Sequence, residues 1–149
     1  MIKTRGFTLI ELLVVIAIIG ILAGIVLASL GNARSKGGDA AVQGNLSSIR
    51  ASAELYAANN NYPYAPSTVA TTTTCTTASG LFTDSRIKTA ISAATNAGGG
   101  AVACGAGGHY WVVSAQLKSD TTKAWCISST GSSTQITYAA ALTAPNSCL

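Results

Sequence analysis

The chain has 149 residues, of which 48% are hydrophobic and only 9% carry a charge at neutral pH. Nine basic and five acidic residues give a formal net charge of +4, which is too small an excess to indicate a nucleic-acid-binding surface. The sequence has one histidine and neither a G-x-S-x-G element nor a phosphate-binding loop, so its motifs argue against an enzyme.

A long apolar segment lies near the N-terminus. It extends from Phe7 to Leu30 and is interrupted by one acid, Glu11. As a helix, its uncharged part (12–30) spans about 28 Å, close to the hydrocarbon thickness of a bilayer. A helix that is apolar on every side is buried in lipid or among similar helices. We therefore predict a transmembrane or bundle-forming helix, because the rest of the chain is too small and polar to enclose it.

Positive charges flank this segment on both sides. Two of them, Lys3 and Arg5, precede it, and two others, Arg34 and Lys36, follow it. Because lysine and arginine orient a membrane helix through an excess on the cytoplasmic side, this even balance predicts no orientation.

Glu11 is the single charge inside the segment. The helix dipole favours an acid in the first turn, and a charge within a membrane helix usually marks function. If the chain were cut between Gly6 and Phe7, a cationic α-amine would lie four residues before Glu11. Glu11 would then have an opposite charge to pair with, on its own chain or on a neighbouring one.

Residues 6–24, GFTLIELLVVIAIIGILAG, resemble the cleavage and methylation segment of type IV pilins and type II secretion pseudopilins. The resemblance implies that a prepilin peptidase removes a leader, residues 1–6, by cutting after Gly6, and that Phe7 becomes the N-methylated first residue. It also implies that Thr8 and Glu11 act in assembly, with Glu11 binding the N-terminus of an adjacent subunit.

The same resemblance implies a location and partners. Before assembly the chain would be a single-pass protein of the inner membrane, and afterwards a subunit of an extracellular homo-oligomeric filament. Its implied partners are the prepilin peptidase and methyltransferase, an assembly platform and its ATPase, with no cofactor. Without the leader, seven basic and five acidic residues leave a net charge of +2. Lys118 and Lys123 could touch DNA in an uptake pilus, but a solvated loop is the default interpretation, and nucleic acid stays an open question.

Small residues follow one face of the apolar helix. Gly20, Gly24 and Ala28 recur at four-residue spacing, which suits close packing of helices. Many members of the resembled family carry proline at the position of Ala28. Its absence here leaves open how the helix bends in a filament, although glycines such as Gly31 could supply flexibility.

The helix should continue beyond the apolar segment. Apolar positions spaced by four and three residues form one face of an amphipathic continuation over 31–58, namely Val42, Leu46, Ile49, Ala53 and Tyr56. We predict one helix over 7–58, whose apolar half (7–30) protrudes and whose second half packs on a head. Several glycines predict a bend or local break near 31–38. The asparagines at 59–61 and Pro63 should end the helix.

The remaining residues, 59–149, should form a globular head. Residues 64–80 are rich in Thr and Ser and predict a loop, which could be O-glycosylated or merely solvated. Residues 84–96 predict a short helix with Ile87, Ile91 and Ala94 on one face. Strand-like segments at 110–113, 125–127 and 135–138 predict an antiparallel sheet of about three strands. The fold class is therefore α+β, with the long helix packed on a small sheet as in type IV pilins.

Four widely spaced cysteines lie in the head. With no C-x-x-C pair and a single histidine, His109, a zinc site is not predicted. An even number of cysteines beyond a membrane segment favours two disulfides in an oxidising compartment, although three pairings are possible. Sequence proximity favours Cys75–Cys104 and Cys126–Cys148. The alternative, four free thiols in a cytosolic domain, would require the opposite topology. The resembled pilins often have a disulfide-bounded C-terminal loop, in agreement with the second pair.

The sequence therefore predicts a structural subunit of a type IV pilus-like filament. One alternative is a type II secretion pseudopilin. The acidic calcium-binding loop that major pseudopilins often carry is not found here, which favours a pilus subunit. The other alternative is a single-pass membrane-anchored binding domain that never polymerises.

Overall fold

The computed structural model describes residues 6–60, 64–65, 69–72, 75, 80–139 and 148. The chain divides into two compact units, Met1–Arg34 and Ser35–Leu149. The leader residues 1–5, the predicted helix stop at 61–63 and most of the predicted loop at 64–80 lie outside the described residues.

The first helix, α1, extends from Leu9 to Asn59 and contributes to both units. In the first unit its apolar side chains, from Leu9 to Leu30, are exposed. By length and composition α1 contains a stretch that can cross a membrane, and none of that stretch is buried inside the structure. A core helix of a soluble domain is mostly buried, so the exposure of this stretch distinguishes it from such a helix.

In the second unit one face of α1 is fully buried. Its buried positions are spaced by four and three residues, as the sequence predicts, and are Val42, Leu46, Ile49, Ala53 and Ala57. Tyr56, the last position of the predicted face, is half-buried and packs against the core. This face places the second half of α1 against the sheet and a second helix.

The helix is continuous through residues 31–38, so a local break there is wrong, whereas a bend stays a prediction. A glycine weakens a helix by only about 1 kcal/mol, which the packing of the buried face can outweigh. Close packing explains why position 38 is a glycine. A Cβ atom at Gly38 would lie 2.7 Å from the backbone oxygen of Ala97. A glycine there lets α1 approach the end of the next helix.

The second helix, α2, comprises Ser85–Ala97. Asp84 caps its N-terminus, where its carboxylate accepts hydrogen bonds from the backbone N–H groups of Arg86 and Ile87. A short 3-10 turn before the cap, Gly80–Thr83, buries Leu81 and Phe82. As predicted, α2 buries Ile87, Ile91 and Ala94.

Within the described residues, the sheet is antiparallel and has five strands in the order β1-β2-β3-β4-β5. The strands are Val69–Thr72, Val102–Ala106, Trp111–Gln116, Lys123–Ser128 and Ser133–Thr137. The three predicted strands are β3, β4 and β5, and the estimate of about three strands misses β1 and β2. Apart from Val69 and Val102, the missed strands consist of threonines or small residues, which give no alternating apolar pattern.

The core lies between the sheet and the two helices. Trp111, Val113 and Ile127 of the sheet belong to the same buried cluster as Leu46 of α1 and Ile91 of α2. On the opposite face of the sheet, Val112, Cys126 and Cys148 form a second buried cluster. The central strand β3 is therefore covered on both faces.

The structure joins the four cysteines in two pairs. Cys75 is bonded to Cys104 within the main core, with a Cα–Cα distance of 5.6 Å. Cys126 is bonded to Cys148, with a Cα–Cα distance of 5.5 Å. The second bond holds a residue near the C-terminus against the outer face of the sheet.

Polar contacts tie α1 to the loops at both ends of β4. Asp39 accepts hydrogen bonds from the backbone N–H groups of Lys118 (2.7 Å) and Ser119 (3.1 Å), in the loop before β4. Arg50 donates to the backbone oxygens of Gly131 and Ser132, in the turn after β4. Gly131 has a φ of 90°, which a side chain rarely adopts. These contacts align α1 along β4.

Candidate functional site

The first turn of α1 is built around Thr8 and Glu11. One carboxylate oxygen of Glu11, Oε2, accepts hydrogen bonds from the backbone N–H of Thr8 (2.9 Å) and from its hydroxyl (2.8 Å). In return, the hydroxyl oxygen of Thr8 accepts from the backbone N–H of Glu11 at 3.2 Å. This reciprocal pattern is a capping box, which satisfies N–H groups that have no partner inside the helix.

The capping box has a signature in the sequence. A threonine followed three residues later by glutamate, before an apolar run, is the pattern T-x-x-E. The prediction placed Thr8 and Glu11 together in assembly but did not foresee that they bond to each other. The structure thus gives Glu11 a partner on its own chain.

The other predicted residues of the N-terminal region are exposed. Phe7 leaves 83% of its surface exposed, and Gly6, before it, is also exposed. Gly20 and Gly24 have open space where a Cβ atom would stand, since nothing lies within 4 Å. With the exposed Ala28, they present a shallow strip on which another helix can approach closely.

All five acidic side chains accept hydrogen bonds from their own chain. In addition to Glu11 with Thr8, the pairs are Asp39 with Lys118 and Ser119, Glu54 with Tyr64, Asp84 with the start of α2, and Asp120 with Thr122. The hydroxyl and the backbone N–H of Thr122, together with the charge of Lys123, hold the pKa of the Asp120 carboxyl below its usual range. Four of these carboxylates therefore support the head.

The Asp39 contact makes a testable contribution to stability. Asp39→Ala would leave the N–H groups of Lys118 and Ser119 without their acceptor. Because hydrogen bonds to charged groups contribute about 1.5 to 3 kcal/mol, we expect the free energy of unfolding to fall by about 2 kcal/mol. Chemical denaturation of the full chain in mild detergent, followed by tryptophan fluorescence, measures the change.

The matched control is Asp120→Asn, which alters an acid in the loop that Asp39 contacts. Among the described residues, the side chain of Asp120 bonds to its near neighbours Thr122 and Lys123. We expect it to change stability much less than Asp39→Ala. Equal losses in the two variants would contradict a specific role of Asp39 in tying α1 to the sheet.

Lys118 and Lys123, the two lysines that could touch DNA in an uptake pilus, both contact other residues of their own chain. Lys123 pairs with Asp120, with 3.4 Å between Nζ and Oδ2. The side-chain stem of Lys118 lies beside Gly38 of α1, and its residue is exposed. His109 is exposed between β2 and β3. Within the described residues, no group of three or more His, Cys, Asp or Glu side chains could hold a metal ion.

Comparison with known proteins finds a family model that matches the N-terminal part of the chain. The family model of the prokaryotic N-terminal methylation motif matches residues 1–27. The match contains Thr8 and Glu11, the residues that form the capping box, and Gly20 and Gly24. The chain thus carries this motif over its first 27 residues, which include the start of α1, and the rest of α1 and the sheet follow in a type IV pilin-like layout.

One curated protein, the type IV wide pilus major component PilA4 of Thermus thermophilus, is 44% identical to this chain over 59 residues. The match covers 40% of this chain and 45% of that protein, which is less than half the length of either. No solved structure matches the chain.

Proposed function

We propose that this chain is a structural subunit of a type IV pilus-like filament. The observation that carries the proposal is an N-terminal methylation motif at the start of an apolar helix that the chain itself leaves uncovered. The similarity to a pilus component supports it. A filament of parallel subunits would bury the apolar helices against one another and leave the heads on the surface.

The subunit would be made as a precursor. We propose that a prepilin peptidase cuts after Gly6 and that a methyltransferase modifies the new N-terminus at Phe7. Both residues are exposed, as processing requires. Until assembly the apolar segment, 7–30, would anchor the chain in the inner membrane, and an assembly platform with its ATPase would then move the subunit into the extracellular filament.

Assembly would use two features of α1. The strip formed by Gly20, Gly24 and Ala28 would allow close contact between helices. The carboxylate of Glu11 would bind the α-amine of Phe7 in an adjacent subunit and so select the register of neighbouring helices. A charge pair between apolar helices is strong because little water competes for it.

We also propose that both disulfides form in the mature protein, which requires an oxidising compartment for the head. A head of roughly 90 residues buries a small core, and its stability depends strongly on such covalent links. The head would then lie on the side of the membrane opposite the cytoplasm.

Mass spectrometry of the N-terminal peptide tests the processing step. We expect the first tryptic peptide of filament or membrane protein to begin at Phe7, to end at Arg34 and to carry one added methyl group. An intact Met1 in the filament or membrane pool would contradict the proposed processing. A chain that stays monomeric in detergent and unprocessed would instead be the anchored binding domain.

A pseudopilin is the second candidate, because residues 6–24 resemble the N-terminal segment of pilins and of pseudopilins alike. Electron microscopy of cells that produce the chain separates the two. Long surface fibres that contain the chain support a pilus subunit, whereas short assemblies confined to the periplasm support a pseudopilin.

A further inference from the structure

Strand β5 forms one edge of the sheet, and in the described part of the chain it pairs with β4 alone. At one end of this pairing, the backbone N–H of Ser128 donates to the oxygen of Ser132. At the other end, the N–H of Tyr138 donates to the oxygen of Thr122. Hydrogen-bonded and non-bonded pairs alternate along antiparallel strands. The intervening residues whose backbone N–H and C=O groups therefore point away from β4 are Ser133, Gln135 and Thr137.

The β5 edge lacks the features that usually prevent a strand from pairing with another chain. Such edges commonly carry a charge, a proline or a bulge. The sequence of β5, STQIT, has neither a charge nor a proline, and its five residues pair with β4 in one unbroken register. The opposite edge, β1, has a register shift between Val69 and Thr72. The β5 edge is therefore the regular one, and its three outward-facing residues are exposed.

The outward-facing groups of β5 are arranged symmetrically about Gln135. If a second β5 lies antiparallel with Gln135 opposite itself, Ser133 of each strand lies opposite Thr137 of the other. All the outward-facing N–H and C=O groups of both strands then form hydrogen-bonded pairs. Residues 129–139 carry no charge. On β4, Lys123 lies opposite Thr137, but it is paired with Asp120, so two copies can meet without repulsion between like charges.

We propose that the β5 edge binds the β5 edge of a second copy of the chain, so that the two sheets continue into one. The contact is isologous, because each copy contributes the same residues. Its two-fold axis is perpendicular to the sheet and so reverses the part of α1 that lies along β4. Subunits of one filament point the same way, so the contact would join two filaments that run in opposite directions. This last step rests on the proposed function.

The size of the contact determines its strength. A pairing of two short strands is marginal in water, so a single β5 contact is weak. Along two adjacent filaments the contact can recur, and linked weak contacts together bind far more strongly than one alone. The edge therefore suits reversible lateral association, and a test on separate chains must trap the pair covalently.

Cysteine trapping in the full chain provides this test. Gln135→Cys places a thiol on the proposed two-fold axis, where the two Cα atoms would lie about 5.5 Å apart, within the range of a disulfide. The chain is kept in mild detergent under weakly oxidising conditions, and covalent dimers are measured on a non-reducing gel. Peptide masses verify that both native disulfides are retained. We expect at least about tenfold more dimer than Ser133→Cys or Thr137→Cys forms.

Those two variants are register controls on the same edge. In either of them alone, each thiol would lie about 14 Å from its counterpart, four residues along the strands, which is too far for a disulfide. An equimolar mixture of Ser133→Cys and Thr137→Cys should instead form dimers, because these positions lie opposite each other. Equal trapping of all three single variants, no dimer of Gln135→Cys, or no gain in the mixture would overturn the proposal.

A further pair of variants separates strand pairing from mere proximity. Thr137→Pro, added to Gln135→Cys, removes an outward-facing N–H and leaves the bonds to β4 in place. Because the contact then loses a hydrogen bond from each copy, we expect on the order of tenfold less dimer. Thr137→Val keeps the N–H and should leave trapping unchanged. Undiminished trapping with Thr137→Pro would contradict pairing through the backbone. These measurements need no filament, so their outcome is independent of the proposed function.

Discussion

Replacing both Cys75 and Cys104 with alanine is expected to lower the free energy of unfolding by about 3 to 4 kcal/mol. The bond joins residues 29 positions apart, so its loss frees a long loop in the unfolded chain. Both cysteines lie in the main core, where their removal also loses packing. The full chain in mild detergent should therefore unfold at a lower denaturant concentration, as reported by the fluorescence of Trp111 and Trp125.

Peptide mapping under non-reducing conditions tests the pairing itself. Tryptic cleavage places Cys75 in peptide 51–86, Cys104 in peptide 89–118, and both Cys126 and Cys148 in peptide 124–149. The structure predicts a cross-link between the first two peptides and a closed loop within the third, whose mass is two hydrogens lower. Either alternative pairing would attach peptide 124–149 to both of the others.

The matched control replaces Cys126 and Cys148, which are 22 positions apart. Because the loop that it closes has a similar length, loss of this bond should lower the free energy of unfolding by a similar amount. It affects the cluster on the outer face of the sheet rather than the main core. A loss of less than about 1 kcal/mol for the Cys75 and Cys104 variant would contradict the structural importance of the first bond.

The parts of the fold with a local pattern could be predicted from the sequence. The buried face of α1 repeats every three to four residues, and α2 has an acid at its cap and a glycine after its end. Strands β3 and β4 contain consecutive aromatic and branched residues. Each of these segments carries its own signal, because its side chains meet neighbours a few positions away.

The parts that depend on distant partners could not be predicted. Strand β1 has the sequence VATT within a threonine-rich tract, and its pairing with β2 is set by residues more than thirty positions away. The contact of Asp39 with Lys118 spans 79 positions. Gly38 looked like a helix breaker, yet it serves close packing against Ala97. No local pattern in the sequence indicates these contacts.

In the candidate site, too, a contact within the chain was predictable from the sequence and a contact with another chain was not. The resemblance predicts a role for Glu11 in assembly, but a resemblance implies roles rather than atomic contacts. Its bond to Thr8 is local and had a recognisable signature, T-x-x-E, so it was predictable in principle. The amine proposed to pair with Glu11 would belong to another chain, and a single sequence does not specify its approach.

Replacing Glu11 is expected to have the largest effect on assembly. Glu11→Gln keeps the size of the side chain and an oxygen that can accept from Thr8, and so removes mainly the charge. Because hydrogen bonds between charged groups are about twice as strong as neutral ones, and little water competes between apolar helices, we expect incorporation into filaments to fall at least about tenfold. Glu11→Ala, which also removes the capping box, should incorporate no better. Co-expression with the native chain, followed by mass spectrometry of peptide 7–34, measures each variant's share of the filaments relative to its share of the processed pool.

Glu54→Gln provides the matched control, because Glu54 also lies on α1 but bonds to Tyr64 within the head. We expect near-native incorporation for this variant. All variants should begin at Phe7, so a failure of processing would be visible as an unshortened chain. If Glu11→Gln joined native filaments in proportion to its processed pool, the charge pair could not select the register. The apolar surface and the small-residue strip of α1 would then have to align the subunits alone.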